Sequence, residues 1–190
     1  MAGSDSPGVP GPRLIVVTGP PGSGKSTLAE AVAHRCGAAV LGFDWAMAGL
    51  TWCKPVQAAI DAVDVETYRR LGWSVLGSLA EAQLRHGRSV VLDGVARDPA
   101  VDALREIAGR TGARLTVAVL SCSDRATHRA RIEGRRRDIP GWYELTWDAV
   151  ESTLARWQPP RNPDLTVDTA GDPDPVALAA RLLDTGPATT

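Results

Sequence analysis

The segment LIVVTGPPGSGKSTLAEAVAHRCG, residues 14–37, constrains the fold of this chain more than any other stretch. It begins with an apolar run typical of a strand, crosses a turn of glycine and proline, and ends in a helical pattern. The turn, GPPGSGKS at residues 19–26, fits the phosphate-binding P-loop pattern G-x-x-x-x-G-K-[ST], which also requires a strand before it and a helix after it. The sequence therefore predicts a P-loop. An ordinary strand-to-helix turn is the competing interpretation.

The residue types of this motif suit a nucleoside triphosphate. Glycines let successive backbone N–H groups point inward, and the first turn of the helix adds donors and a positive dipole. Lys25, facing solvent until nucleotide binds, is expected to reach the β- and γ-phosphates, and the Ser26 hydroxyl to coordinate Mg²⁺. The predicted nucleotide contacts in the loop are Gly19, Gly22, Ser23, Gly24, Lys25, Ser26 and Thr27.

The chain contains five short apolar runs, with helical patterns between them. They lie at residues 13–19, 38–44, 88–94, 114–120 and 164–170. Because each run is apolar at consecutive positions, we expect strands that are covered on both faces, as in a parallel sheet. The sequence predicts an α/β three-layer sandwich with a five-stranded parallel sheet. We expect one domain over residues 13–184 and disordered tails at 1–12 and 185–190.

Composition limits the partners and the compartment. The 21 basic and 22 acidic residues nearly cancel, which argues against a broad basic face for nucleic acid or anionic lipid. No apolar run reaches the roughly 18 residues of a membrane span. Three cysteines, far apart and odd in number, indicate reduced thiols and a cytoplasmic protein. Oligomeric state is not fixed by any of these features.

A second motif, SVVLDG, places Asp93 at the carboxyl end of an apolar run. A carboxylate at that position can hold Mg²⁺ directly or through water. The next residue is Gly94, where many hydrolytic P-loop ATPases carry a water-activating glutamate, and no guanine-reading N-K-x-D motif occurs. Phosphoryl transfer to a bound acceptor is therefore favoured over hydrolysis. A helix N-cap or a loop carboxylate is the alternative role for Asp93.

A third element, DRATHRARIEGRRRDIPG at residues 124–141, is rich in arginine and is predicted to form a lid over the nucleotide. Arginines four positions apart share a helix face, so two such pairs, Arg125 with Arg129 and Arg131 with Arg135, can converge on phosphate. Arg129 and Arg135 are the candidate catalytic residues, and Arg129 is also a candidate nucleotide contact. A solvated basic helix end is the competing interpretation.

Together, the P-loop, VVLDG, the R-x-R arginine segment and NPDLTVDT resemble the small phosphotransferases of the nucleoside-monophosphate-kinase-like group over most of residues 13–184. VLGFDWAMAGL is similar to the segment after strand two of chloramphenicol phosphotransferases, and kinase domains of polynucleotide kinases carry a comparable aspartate. The resemblance implies an ATP- and Mg²⁺-dependent kinase with Asp44 as the base. The implied acceptor is the hydroxyl of a small molecule such as an antibiotic or other natural product.

The surroundings of Asp44 support this role from the residues alone. An aspartate at a strand's carboxyl end faces the crevice where open α/β sheets bind ligands, and it can accept a hydroxyl proton. Capping the following helix is the alternative. Trp45 and Trp52 could form an apolar wall for the acceptor, with Arg97 as a further contact, although core packing is commoner for tryptophan. A solvated helix start or a preference for a cationic acceptor would explain Asp61, Asp64 and Glu66 equally well.

Two other functional classes stay open at this stage. A polynucleotide or nucleoside 5′-hydroxyl kinase would need a basic groove with stacking aromatics, and no such stripe lies outside residues 124–141. A nucleotide-binding regulator without catalysis would keep the P-loop but would need no base at Asp44.

Overall fold

The sheet of this protein is all parallel, as the consecutive apolar runs predict. A computed structural model describes residues 11–185. Its strands are β1 Arg13–Thr18, β2 Ala39–Gly42, β3 Val90–Asp93, β4 Arg114–Ser121 and β5 Leu165–Asp168. They lie in the order β2-β3-β1-β4-β5. The predicted α/β architecture is confirmed. The predicted tails fall mainly on residues 1–10 and 186–190, which are outside the described residues.

Helices cover both faces of this sheet. Within residues 11–185 they are α1 Lys25–Cys36, α2 Phe43–Leu50, α3 Lys54–Asp61, α4 Val65–Arg85, α5 Asp98–Thr111, α6 Arg125–Gly134, α7 Trp147–Leu154 and α8 Pro175–Asp184. None of them combines the length and the apolar character needed to cross a membrane. The helical period of residues 63–87, with Gly87 as the expected stop just past the helix, predicts one long helix, which corresponds to α4. Gly87 has a positive φ of 71°.

Alternate residues of the central strand β1 face two separate apolar clusters. Leu14 and Val16 pack with α4 and α5, whereas Ile15 and Val17 pack with α1 and α8. All four side chains are fully buried. Burial on both faces explains why β1 is apolar at the four consecutive positions 14–17 rather than at alternate ones.

The strand register brings the sequence motifs together at one edge of the sheet. β1 and β3 are neighbours with Val17 opposite Asp93, and β2 pairs with β3 so that Gly42 also lies opposite Asp93. The P-loop leaves the carboxyl end of β1, and α2 begins directly after Gly42. Asp93 is therefore held between the P-loop on one side and the start of α2, with Asp44, on the other.

The arginine-rich segment is helical only in its first half. Helix α6 ends at Gly134, and Arg135 has an extended backbone with φ −92° and ψ 138°. Ile132 of α6 packs with Trp147 and Val150 of α7. The expected helical pairing of Arg131 with Arg135 is therefore absent, since the helix ends between them.

Candidate active site

The P-loop requires glycine on steric grounds. A Cβ at Gly19 would lie 2.1 Å from the carbonyl oxygen of Leu120, and Gly22 has a φ of 81° with its α-carbon against Ile132 and His128. Gly24 is the N-cap of α1 and has a φ of 85°. The backbone is thus shaped as the motif predicts. Ser23 is buried, and its hydroxyl has no hydrogen-bond partner among the described residues.

His128 of α6 contacts the backbone of the P-loop, a role that the sequence did not indicate. Its side chain is buried, and its Nε2 donates a hydrogen bond of 2.6 Å to the carbonyl oxygen of Pro21. The ring packs edge-on against Trp147 at a centroid distance of 5.4 Å. The sequence gave no indication of this role, because the histidines of the chain show no spacing typical of a metal site or a catalytic triad. The role becomes apparent only from the packing of α6 against the loop.

Lys25 lies inside the P-loop rather than in solvent, so the expectation of a solvent-facing side chain is wrong. It is 9% exposed, and its Nζ donates to the carbonyl oxygen of Pro20 at 2.9 Å. Burial lowers the pKa of Lys25 below its usual value, and the nearby charges of Asp93 and Asp44 partly offset this effect. The hydrogen bond to Pro20 holds the ammonium group of Lys25 in a fixed position within its own loop.

Asp93 contacts the P-loop serine directly. The Ser26 hydroxyl donates to Oδ2 of Asp93 at 2.7 Å, while Oδ1 is buried without a partner in the described chain. The N-cap of the following helix is Arg97, so capping does not explain this aspartate. A hydroxyl beside a buried carboxylate oxygen with no partner is a donor set that fits Mg²⁺ when phosphate oxygens and water complete it.

Two cavities meet at the P-loop. The Asp44 cavity, of about 840 Å³, extends from the loop past α2 and the start of α4. The Thr169 cavity, of about 860 Å³, lies on the other side, against α6 and the start of α8. Both are lined by Lys25, Ser26, Glu30 and Arg135. A group transferred between occupants of the two cavities would pass these four residues.

Asp44 lies in the first turn of α2 and faces its cavity. The N-cap of that helix is Gly42, so the alternative capping role does not apply. The Asp44 side chain is 43% exposed, and its Oδ2 accepts a 2.7 Å hydrogen bond from Nη1 of Arg137, which is itself 5% exposed. Arg137 also donates to the carbonyl oxygen of Tyr143 and lies 3.5 Å from Glu144.

Aromatic side chains form much of the remaining wall of the Asp44 cavity: Phe43, Trp45, Tyr68 and Tyr143. Burial raises the pKa of Tyr68 well above its usual value, so this hydroxyl stays protonated. Trp45 lines the cavity and is 58% exposed, and its role as a wall for the acceptor stays a prediction. Trp52 is 77% exposed and does not line the cavity. Arg97 does not line the cavity either, and its Nη2 donates to the carbonyl oxygen of Arg156 at 2.8 Å.

The arginines of residues 124–141 divide into three groups by position. Arg135 reaches the P-loop, with Nη2 at 3.4 Å from the Ser26 hydroxyl, and Arg131 donates to Oγ1 of Thr169 at 2.9 Å. Arg137 lies in the wall of the Asp44 cavity, where it donates a hydrogen bond to Asp44. Arg129 is exposed, pairs with Glu133 at 2.7 Å and lines neither cavity. The structure thus brings to the site Arg131, which the sequence treated only as a helical partner of Arg135, and Arg137, which it gave no role, and it leaves Arg129 outside both cavities.

Fold and loop geometry together define a P-loop NTPase-type protein with a five-stranded parallel sheet. Residues 14–160 match the AAA domain family, and the chain belongs to it. No curated protein sequence matches this chain.

Solved structures similar to this chain share the fold over nearly its whole length. A sugar kinase from Janibacter superposes with a TM-score of 0.67 at 20% identity, covering 93% of this chain and 97% of its own. An APS kinase from Mycobacterium tuberculosis, in complex with AMPPNP and APS, gives 0.68 at 20% identity, with coverages of 93% and 98%. A gluconokinase from Sinorhizobium meliloti gives 0.64 at 22% identity, with 93% of each chain covered.

Proposed function

We propose that this protein is an ATP-dependent phosphotransferase that moves the γ-phosphoryl group to a hydroxyl of a small molecule. The observation that carries the proposal is the meeting of two cavities at Lys25, Ser26, Glu30 and Arg135, with Asp44 lining only one of the two. A donor on the Thr169 side and an acceptor on the Asp44 side would share these four residues.

On the nucleotide side, the P-loop backbone N–H groups and the start of α1 bind the phosphates, and Lys25 supplies positive charge to them. Arg135 adds a second positive charge over the same position, and such an arginine can be worth roughly 10³ to 10⁵ in rate. Ser26 and Asp93 would hold Mg²⁺, which neutralises phosphate charge when bound. Arg131, anchored on Thr169, would form the wall beside the nucleotide.

On the acceptor side, Asp44 accepts the hydroxyl proton while the acceptor oxygen forms its bond to phosphorus and the bond to the β-phosphate oxygen breaks. The products are a phosphate monoester and ADP, and the proton rests on the Asp44 carboxylate before it leaves to water. Positioned bases of this kind contribute typically 10² to 10⁴ in rate. Arg137 fixes the orientation of the carboxylate through its 2.7 Å hydrogen bond.

The printed names of the similar structures support a small-molecule acceptor, because they are a sugar kinase, an APS kinase and a gluconokinase. The resemblance to chloramphenicol phosphotransferases extends the candidate acceptors to hydroxylated antibiotics and other natural products. Trp45 and the neighbouring aromatic side chains supply an apolar surface for a sugar-like or aromatic ring.

The test is a screen for acceptor-dependent ADP formation in ATP and Mg²⁺, with sugars, sugar acids, nucleosides, aminoglycosides, phenicols and 5′-hydroxyl oligonucleotides as acceptors. The proposal expects at least one small molecule to raise ADP formation well above the acceptor-free rate, and Asp44→Asn to abolish that increase. Phosphorylation of oligonucleotides alone would favour a polynucleotide kinase. Tight ATP binding with no turnover on any acceptor would favour a regulator.

A further inference from the structure

We propose that Phe43 is the positioning residue for Asp44, and that it acts by packing between α4 and the segment that follows β3. Phe43 is the first residue of α2, and Asp44 is the second. The side chain of Phe43 is only partly buried, and it lines the Asp44 cavity as well as packing against the core. The role of Asp44 as a base rests on the proposed function. The placement of Asp44 by Phe43 rests on the geometry of these elements alone.

The side chain of Phe43 extends between two glycines that belong to different elements. A Cβ at Gly72 of α4 would lie 2.3 Å from Cε2 and 2.4 Å from Cζ of Phe43, and 3.0 Å from the sulfur of Met47. A Cβ at Gly94, directly after β3, would lie 2.8 Å from the Cβ of Phe43. Both glycines are buried. Because packed interiors do not tolerate contacts this short, a larger residue at either position would displace Phe43.

Two aromatic side chains of α4 contact the ring of Phe43. Tyr68 packs edge-on against it at a centroid distance of 5.9 Å, and Trp73 packs at 5.8 Å with the ring planes 45° apart. These are the separations and tilts that favour aromatic pairs. Gly72 and Gly94 at the ends of the side chain, with Tyr68 and Trp73 against its ring, form what we call the Phe43 socket.

The start of α2 depends on this socket because a helix cap does not fix it. The N-cap is Gly42, and among the described residues no side-chain hydrogen bond caps the helix. The pairing of β2 with β3 ends where Gly42 lies opposite Asp93. Arg137 orients the carboxylate of Asp44, but it belongs to the arginine-rich segment. The position of the Asp44 backbone is therefore set by its neighbour Phe43.

The socket also gives a physical reason for glycine after Asp93. A Cβ at position 94 would meet Cζ2 of Trp73 at 3.0 Å as well as the Cβ of Phe43. A glutamate there, as in many hydrolytic P-loop ATPases, would need the space that these two side chains occupy. The residue that positions the proposed base thus also keeps a water-activating carboxylate out of position 94.

The first experiment places a methyl group in the socket. Gly72→Ala is compared with Gly49→Ala, the same substitution at an exposed position of α2 where a Cβ would have no atom within 4 Å. Gly72→Ala should slow single-turnover transfer at least about tenfold, because a small displacement of a catalytic group is costly, while ATP affinity stays within a few-fold of wild type. Gly49→Ala should transfer at the wild-type rate. A wild-type rate for Gly72→Ala would overturn the proposal.

The second readout distinguishes misplacement of Asp44 from general damage to the fold. Asp44→Asn should slow wild type by roughly 10² or more, but it should slow Gly72→Ala by a factor at least about tenfold smaller. The reason is that the displaced carboxylate has already lost part of its contribution. An equal factor in both backgrounds would show that the socket does not act through Asp44 and would overturn the proposal.

Phe43→Leu provides a second variant if Gly72→Ala does not fold. Leucine lacks the two ring atoms that the methyl group would meet, so it loosens the socket without a steric clash. The same two results are expected for it: slower transfer at unchanged ATP affinity, and a smaller effect of Asp44→Asn. Transfer at the wild-type rate by Phe43→Leu would count against the proposal.

A measurement without turnover separates this proposal from the kinase. The carboxyl carbon resonance of Asp44, assigned by its loss in Asp44→Asn, is observed by NMR in nucleotide-free protein. It should shift in Gly72→Ala and stay unchanged in Gly49→Ala. That result in a protein that phosphorylates no acceptor would leave Phe43 as the residue that places Asp44 and would refute the kinase. An unmoved resonance in Gly72→Ala would overturn the role of Phe43, whether or not wild type transfers phosphate.

Discussion

Nη1 of Arg137 lies 2.7 Å from Oδ2 of Asp44, 93 positions away in the chain. This contact links the extended half of the arginine-rich segment to the first turn of α2. Arg137 is almost fully buried, so its placement is fixed by the surrounding chain and not by solvent. The orientation of the proposed base therefore depends on the segment that also carries Arg135 to the P-loop.

Arg137→Ala should lower both stability and turnover. The change leaves the carboxylates of Asp44 and Glu144 without their shared partner, which should cost about 1–2 kcal/mol of unfolding free energy. Transfer should slow by about tenfold as the base loses its orientation. Urea unfolding and single-turnover kinetics measure the two effects. Arg136→Ala, an exposed neighbour with no ion pair in the described chain, should match wild type; equal losses in both variants would show a general charge effect.

Lys25→Met should eliminate transfer while the fold remains. Methionine keeps most of the apolar volume of the buried side chain and removes the charge that the phosphates need. We expect less than a tenth of wild-type activity, a change of more than about 1.4 kcal/mol in the barrier. Because burial disfavours the charged form, thermal unfolding of the nucleotide-free variant should not occur at a lower temperature. Lys54→Met, at the other lysine and on the surface, should retain full activity.

Asp93→Asn should weaken the response to Mg²⁺. An amide oxygen is a poorer ligand for this cation than a carboxylate, so the half-saturating Mg²⁺ concentration should rise on the order of tenfold. Calorimetric titration of ATP at several Mg²⁺ concentrations measures this without turnover. Asp102→Asn, at a surface pair with Arg105, serves as the control. A Mg²⁺ titration that overlays the wild-type curve would make Asp93 purely structural.

The contacts of Glu81 with Arg85 and Arg110 should make the free energy of unfolding depend on pH. Hydrogen bonds from Arg110 and Arg85 lower its pKa to about 2 from an ordinary value of 4.5. The folded state therefore binds this proton less readily, so the contribution is complete above pH 4.5 and is lost as the pH falls toward 2. Glu81→Gln should lower the melting temperature at pH 7 by more than it does at pH 3. Glu106→Gln is the matched control on α5, and a pH-independent difference for Glu81→Gln would contradict the prediction.

The parallel sheet and the P-loop could both be predicted from the sequence alone. Consecutive apolar residues such as Leu14 to Val17, in a run too short for a helix, indicate a strand that is covered on both faces. The P-loop was equally visible because its glycine and lysine spacing and the strand and helix that flank it are all contained in one short segment. Both features depend on neighbours in the sequence.

The arginines were less predictable for the opposite reason. Helical spacing favoured both Arg129 and Arg135, but α6 ends at Gly134, and the extended chain beyond it carries Arg135 to the P-loop and Arg137, which was not predicted, to Asp44. Where a helix ends among several arginines depends on packing against α7, which composition does not encode. His128 is a similar case, since the carbonyl group that it contacts lies 107 positions away in the chain.

The most direct test of the account is the single-turnover rate of Asp44→Asn, measured with the acceptor identified by the screen. Asparagine keeps the size of the side chain and an oxygen that Arg137 can contact, but it is not a proton acceptor of comparable strength. Asp61→Asn, exposed on α3, is the control. The account predicts a fall of roughly 10² or more for Asp44→Asn, with ATP and acceptor affinities within a few-fold of wild type. Transfer at the wild-type rate would contradict it.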